Sequence, residues 1–194
     1  MLEVSRRMKS SSLQRRNNDL ERAASQSNEA RKLAENYYPP GHPLRVAAKL
    51  EHSKVTTMRA LHTGKLDAAQ QWLDFAKKIG ATKIDGHPVI QEQSTEVAEI
   101  YFLEGHLRKK QKKEQEAIAA YQKAAELATE DHPLRLEAKA TVAHYRIAAG
   151  TWTLRETIEL LDDQHKFLPQ HALAPVIHEL VLGFHLREIS NAAR

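Results

Sequence analysis

Five cations stand within six residues at Arg108-Lys109-Lys110-Gln111-Lys112-Lys113. Such a run can meet nucleic acid, an acidic protein or anionic lipid, or serve as a nuclear signal; read more plainly, it is a hydrated turn between helices. No aromatics are interleaved for base stacking, although Tyr101 and Phe102 lie just upstream. Histidine is the other titratable resource, with 11 copies. His42, His87 and His132 each precede a proline and read as turn or cap residues. His178 and His185 lie seven apart and share a helix face, but no acidic third ligand is suitably spaced. His178-Glu179 does not extend to a metalloprotease motif, because Leu182 occupies the second histidine position. The absence of cysteine removes disulfides, zinc-thiolate sites and cysteine nucleophiles. There is no Gly-x-Ser-x-Gly, no phosphate-cradling glycine loop and no dinucleotide fingerprint. The reading is non-enzymatic, with no cofactor and no metal.

The elements that must carry these residues are helices. Glycine and proline are scarce at 7 each, and no strand-like alternation of Val, Ile and aromatics occurs. No apolar run is long enough for a membrane span. Histidine-proline pairs at 42–43, 87–88 and 132–133 recur every 45 residues. Proline suits the first turn of a helix, so each pair is read as a helix start. The spacing predicts helices at 3–16, 18–37, 43–62, 66–80, 90–110, 114–129, 134–149 and 153–165. After Phe167-Leu168-Pro169 a last helix is expected over 174–192, with Ile177, Leu180, Val181, Phe184 and Ile189 as its apolar stripe. Within Glu116–Leu127, small Ala117 and Ala124 flank bulky Tyr121 on one face. The pattern returns at Ala69, Leu73, Ala76 and more weakly at Ala23, Ser27, Ala30. Helix pairs of this kind cannot bury their apolar faces alone and must stack. Trp72 and Trp152 read as packing residues.

These residues resemble the tetratricopeptide repeat (TPR) family. Tyr101 and Gly105 match its first helix, and Ala117, Tyr121 and Ala124 follow at the family spacing. Gly64-Lys65-Leu66 and Gly150-Thr151-Trp152 match its turns. In the third unit Arg155, Glu159 and Asp162 stand where small and bulky residues belong. The Gly-His-Pro punctuation looks like the longer repeats of kinesin light chains. It also looks like the C-terminal helical region of SET-and-MYND-domain proteins over Tyr37 to Ile90; that family's zinc cysteines have no counterpart, so methyl transfer is not implied. The resemblance implies an all-α, right-handed α-solenoid of three to four antiparallel helix pairs with a C-terminal capping helix. Residues 1–194 would form one domain, with a basic helix or arm at 1–17 and the cap at 170–194.

Such stacks bind peptides on their concave face. By the repeat spacing that face should carry Glu51, Lys54, Met58, Leu61 and His62, then Glu99, Phe102, His106, Lys109 and Lys110, then Glu137, Ala140 and His144. The carboxylate clamp of chaperone-binding TPR proteins is rejected: Lys54 fits, whereas Met58, Leu103 and Thr141 do not. The expected function is an adaptor or scaffold for a protein or peptide partner of acidic character, alone or as a subunit of a larger complex. The alternative is an all-helical nucleic-acid binder using Arg108, Lys109, Lys110, Lys112 and Lys113, with a faint likeness of Arg59-Ala60-Leu61-His62-Thr63-Gly64 to translin-type proteins. The expected location is intracellular, cytoplasmic first. The alternatives are the nucleus and, because the arginine- and serine-rich start loosely resembles a presequence, the mitochondrion.

Overall fold

A computed structural model describes residues 2–84, 86–91, 93–130, 132–166 and 174–192. Among them lie α1 (Leu2–Arg16), α2 (Leu20–Tyr37), α3 (Pro43–His62), α4 (Leu66–Gly80), β1 (Lys83–Ile84), β2 (His87–Pro88), α5 (Thr95–Lys110), α6 (Glu114–Leu127), α7 (Pro133–Ala149), α8 (Leu154–Lys166) and α9 (Ala174–Ala192). Consecutive helices pack as hairpins. Odd-numbered helices also touch one another in succession from α1 to α9, whereas even-numbered ones touch only their chain neighbours. The result is a stack with an inner layer of odd helices and an outer layer of even ones.

Local chemistry sets the helix ends. Pro43 and Pro133 open α3 and α7, and the preceding histidines accept from the main chain. His42 Nδ1 lies 3.2 Å from the Leu44 N–H, and His132 Nδ1 lies 3.2 Å from that of Leu134. Within each hairpin the chain turns through one left-handed residue: Asn18, Gly64, Lys112 and Gly150, with φ of 60°, 72°, 61° and 72°. The next N–H then returns to the helix carbonyl five residues back. Asp19 reaches Gln14, Lys65 reaches Ala60, Lys113 reaches Arg108 and Thr151 reaches Arg146, each at 2.9 Å. A lysine thus does at 112 what glycine does at 64 and 150.

The small, bulky, small triplets form the seams. Ala23, Ser27, Ala30, Ala69, Leu73, Ala76, Ala117, Tyr121 and Ala124 are all fully buried. Each such ring or leucine contributes about 2 kcal/mol on burial. Gly105 receives Tyr121 directly. In the fourth hairpin the register slips: Arg155, Glu159 and Asp162 are exposed, and Thr157 and Leu160 fill the seam. Trp152 packs against both of the last two core clusters and donates its indole N–H to Thr157 Oγ1 at 2.9 Å.

One expected boundary is wrong. His87-Pro88 does not start a helix. It forms β2, an antiparallel rung against β1, with Gly86 at φ 80° between them. Helix α5 begins later, where Ser94 accepts from the Val97 N–H at 3.3 Å. The expectation of no strand therefore fails locally. The β1–β2 hairpin is wedged beside the α2–α3 loop; a Cβ on Gly41 would come within 2.7 Å of Ile84 Cδ1. Val89 and Ile90 then pack on the core of α3, α4 and α5. Helix α9 runs over the expected range, and Ile177 and Phe184 are buried. Phe167, Leu168, Pro169 and the Ile189 side chain lie outside the described residues.

Candidate partner-binding groove

The inner layer frames an open groove of about 820 Å³. Met8, Ser12 and Arg15 of α1 form one wall, and Leu44, Ala47 and Lys54 of α3 form the base. Val89, Ile90, Gln91, Gln93 and the first turn of α5 form the opposite wall, with Thr129 and His132 at its edge. Leu44, Thr95 and His132 bring the N-terminal ends of α3, α5 and α7 to this groove. The caps His42, Ser94 and His132 already take first-turn N–H groups there, and the partial positive charge that remains at a helix start favours an anionic group on a bound segment.

The floor is a charge-balanced quartet. Arg15 Nη2 lies 3.0 and 3.1 Å from the two Glu99 oxygens, and its Nε lies 3.6 Å from Glu51 Oε1. Lys54 Nζ sits 3.3 Å from Glu51 Oε2 and also pairs with Glu99. Ser11 Oγ adds a contact to Glu51 Oε1 at 3.1 Å. Burial by itself would push the Glu99 carboxyl up, but Lys54 and Arg15 outweigh it and hold it at about 2. Burial likewise opposes charge on Arg15, and Glu99 with Glu51 overcomes this to raise its pKa. The two cations and two carboxylates answer one another without a partner, although Arg15 Nε, 3.6 Å from Glu51, makes no hydrogen bond; they shape the floor rather than await a counter-ion.

Further along α5 the chemistry is aromatic. Phe102, His106 and Tyr121 meet edge to face at centroid separations of 4.7, 5.3 and 5.5 Å. Tyr121 Oη lies 3.0 Å from His106 Nδ1. Burial, then Lys109 and Lys110, bring the imidazole down to about 4, so His106 is neutral at pH 7. Burial pushes the Tyr121 phenol up.

The residues expected on the concave face divide accordingly. Lys54 lines the groove as expected, though buried and held by two carboxylates, whereas Phe102 is buried against Tyr121 and does not line it, which corrects the picture of Phe102 as an open contact residue. His106 and Met58 are half-buried. His62, Lys109, Lys110 and His144 are exposed, but none of them lines the groove. In the basic run, Arg108 is engaged by Glu104 and Glu116, and Lys113 lies 3.2 Å from Glu116. Lys109 stands 5.7 Å over the Tyr145 ring. Lys110 and Lys112 are exposed. His178 and His185 are both exposed on α9, and no His, Asp and Glu cluster of metal-binding size occurs among the described residues.

Sequence reasoning missed the role of Arg15, which it grouped with a basic arm, and the wall made by Ile90, Gln91 and Gln93, which it placed in a helix. Ser94-Thr95-Glu96, a capping residue followed by first-turn acid, was the available signal for the later start of α5.

No known family description matches the sequence, and no curated protein matches it. Among solved structures, the chain is similar to the nearly identical TPR-like repeats of a protein described as a kinesin light chain from Podospora anserina. The two share 16% identity at a TM-score of 0.60, over 100% of this chain and 92% of the other. At that identity the likeness concerns the fold, which is an all-α, TPR-like helical-repeat stack.

Proposed function

We propose that this chain is a non-enzymatic interaction scaffold that holds a segment of a protein partner in its inner groove. The observation that carries the reading is the groove itself: about 820 Å³, open along the inner layer, with apolar walls and three helix starts on it. The segment it suits has apolar side chains for Met8, Leu44 and Val89 and a carboxylate for the helix starts. Met8, Leu44 and Val89 provide the dispersion contacts; the quartet beneath supplies a rigid, neutral base.

A photo-crosslinking residue at Gln91 should capture a discrete protein partner in the native cell, whereas the same residue at Glu126 on the outer layer should not. Ala47→Arg, which fills the groove from its base, should abolish capture while leaving helicity intact. Retention of the partner by Ala47→Arg would overturn the proposal. If binding instead fell steeply with salt and with Lys110 and Lys112 changed to Glu, the basic turn would be the working surface.

A further inference from the structure

The outward faces of the first and the last described helices are not wholly polar. On α8, Leu154 and Ile158 are 55% and 51% exposed; on α9, Leu182 and Leu186 are 60% and 59% exposed. Helix α1 likewise turns Leu2 and Leu13 away from α2 and α3, at 89% and 57% exposure, with Arg6 and Lys9 between them on the same stripe. Charge distinguishes the two faces. Helix α1 has five cations against one acid; Arg7 turns to Glu29 and Arg15 to Glu99, and the exposed charges among its described side chains are Arg6 and Lys9 against Glu3. Helix α8 has four acids against two cations and α9 two acids against one, together a net −3. Glu159, Asp162 and Glu179 carry part of that charge on exposed side chains. The local pairs Arg6–Glu3 and Arg155–Glu159 are themselves exposed, so they exchange readily for contacts across an interface.

We infer that the α1 face of one copy docks on the α8–α9 face of a second copy, head to tail. Two α8–α9 faces repel each other, as do two α1 faces. The unlike pairing joins opposite charge around matched leucines. An association of this kind is heterologous, so it extends beyond two copies unless the rotation closes a ring. No residue of α8 or α9 lines the groove, whereas Lys9 of α1 borders it as well.

Sedimentation velocity on the full chain tests it. The weight-average mass should rise with concentration past that of a dimer. Arg6→Glu with Lys9→Glu should weaken association at least about tenfold, and so should Glu159→Lys with Asp162→Lys. An equimolar mixture of the two variants should recover it, because each reversed face then meets an opposite one. Circular dichroism checks that both stay folded; Leu182→Ser with Leu186→Ser, on a third chain, should also lose association. A concentration-independent monomer overturns the inference. So does a dimer indifferent to the α1 variant, which would mean that two α8–α9 faces pair, or a mixture that fails to recover.

Discussion

Replacing Gly105 by alanine tests the central seam. A methyl there would stand 2.5, 2.6 and 2.7 Å from three ring carbons of Tyr121. Carbon atoms pack best near 3.5–4.0 Å, so the ring or the helix must give by about 1 Å. The ring is poorly placed to do so: it is fully buried, its hydroxyl is tied to His106, and Phe102 meets it edge-on. Overpacking of this kind costs about 1–3 kcal/mol, and the gain in helix propensity from glycine to alanine offsets about 1 kcal/mol. With the ring this confined the overpacking cost falls in the upper part of that range, about 2–3 kcal/mol, which leaves a net loss of about 1–2 kcal/mol and a fall in Tm of about 2–8 °C for a domain of this size. Urea melts followed by circular dichroism would read it. Two controls sharpen the result. In a Tyr121→Leu background the same change should cost nothing further, because the clash is gone. Gly183→Ala in α9, with nothing within 4 Å of the new methyl, should be neutral or stabilising. A Gly105→Ala protein as stable as the parent, with Tyr121 in place, would refute the reasoning.

The remaining predictions concern charge, caps and turns. The Glu99 carboxyl is held at about 2 against an ordinary 4.5, so its contribution of about 3 kcal/mol is complete above pH 4.5 and is lost as the pH falls toward 2. Acid titrations of Glu99→Gln should show a correspondingly flatter profile, from a lower plateau at pH 7. His106, lowered to about 4, adds stability that is full above its ordinary 6.5 and declines as the pH drops toward 4; His106→Gln should remove that part of the slope. Ser94→Ala should cost about 1 kcal/mol as a lost cap, whereas His87→Ala should change chemical stability by under about 0.5 kcal/mol. Lys112→Gly should raise the melting midpoint, by up to about 1 kcal/mol, and Gly64→Ala should lower it by about as much.

Where small and bulky residues alternate on a helix, pattern was enough: Ala69, Leu73 and Ala76, and Ala117, Tyr121 and Ala124, are buried as their spacing requires. Helices α3 and α4 begin and end where their punctuation places them, because proline, glycine and the capping histidine act within a few residues. The middle Gly-His-Pro misled for a non-local reason. Its proline satisfies a turn as well as a helix start, and only the docking of Val89 and Ile90 on the core decides between them. The groove floor was legible in its individual charges but not in their pairing. Lys54 and Glu99 are 45 residues apart and Arg15 and Glu99 are 84 apart, and no local pattern encodes such meetings. Phe102 looked like a contact residue because its position is a concave one; Tyr121 claims it first.

The bond from Arg15 to Glu99 also changes how the stack can come apart. In an ideal solenoid each unit holds only the next, and the ends unzip one pair at a time. Here the first inner helix reaches past the second to grip the third. Loss of α1 would leave Glu51 and Glu99 with Lys54 as the one cation remaining from the quartet. The first three hairpins should therefore melt as a single block, leaving the fraying to the opposite end, where α8 and α9 have no such skip-neighbour clasp among the described residues.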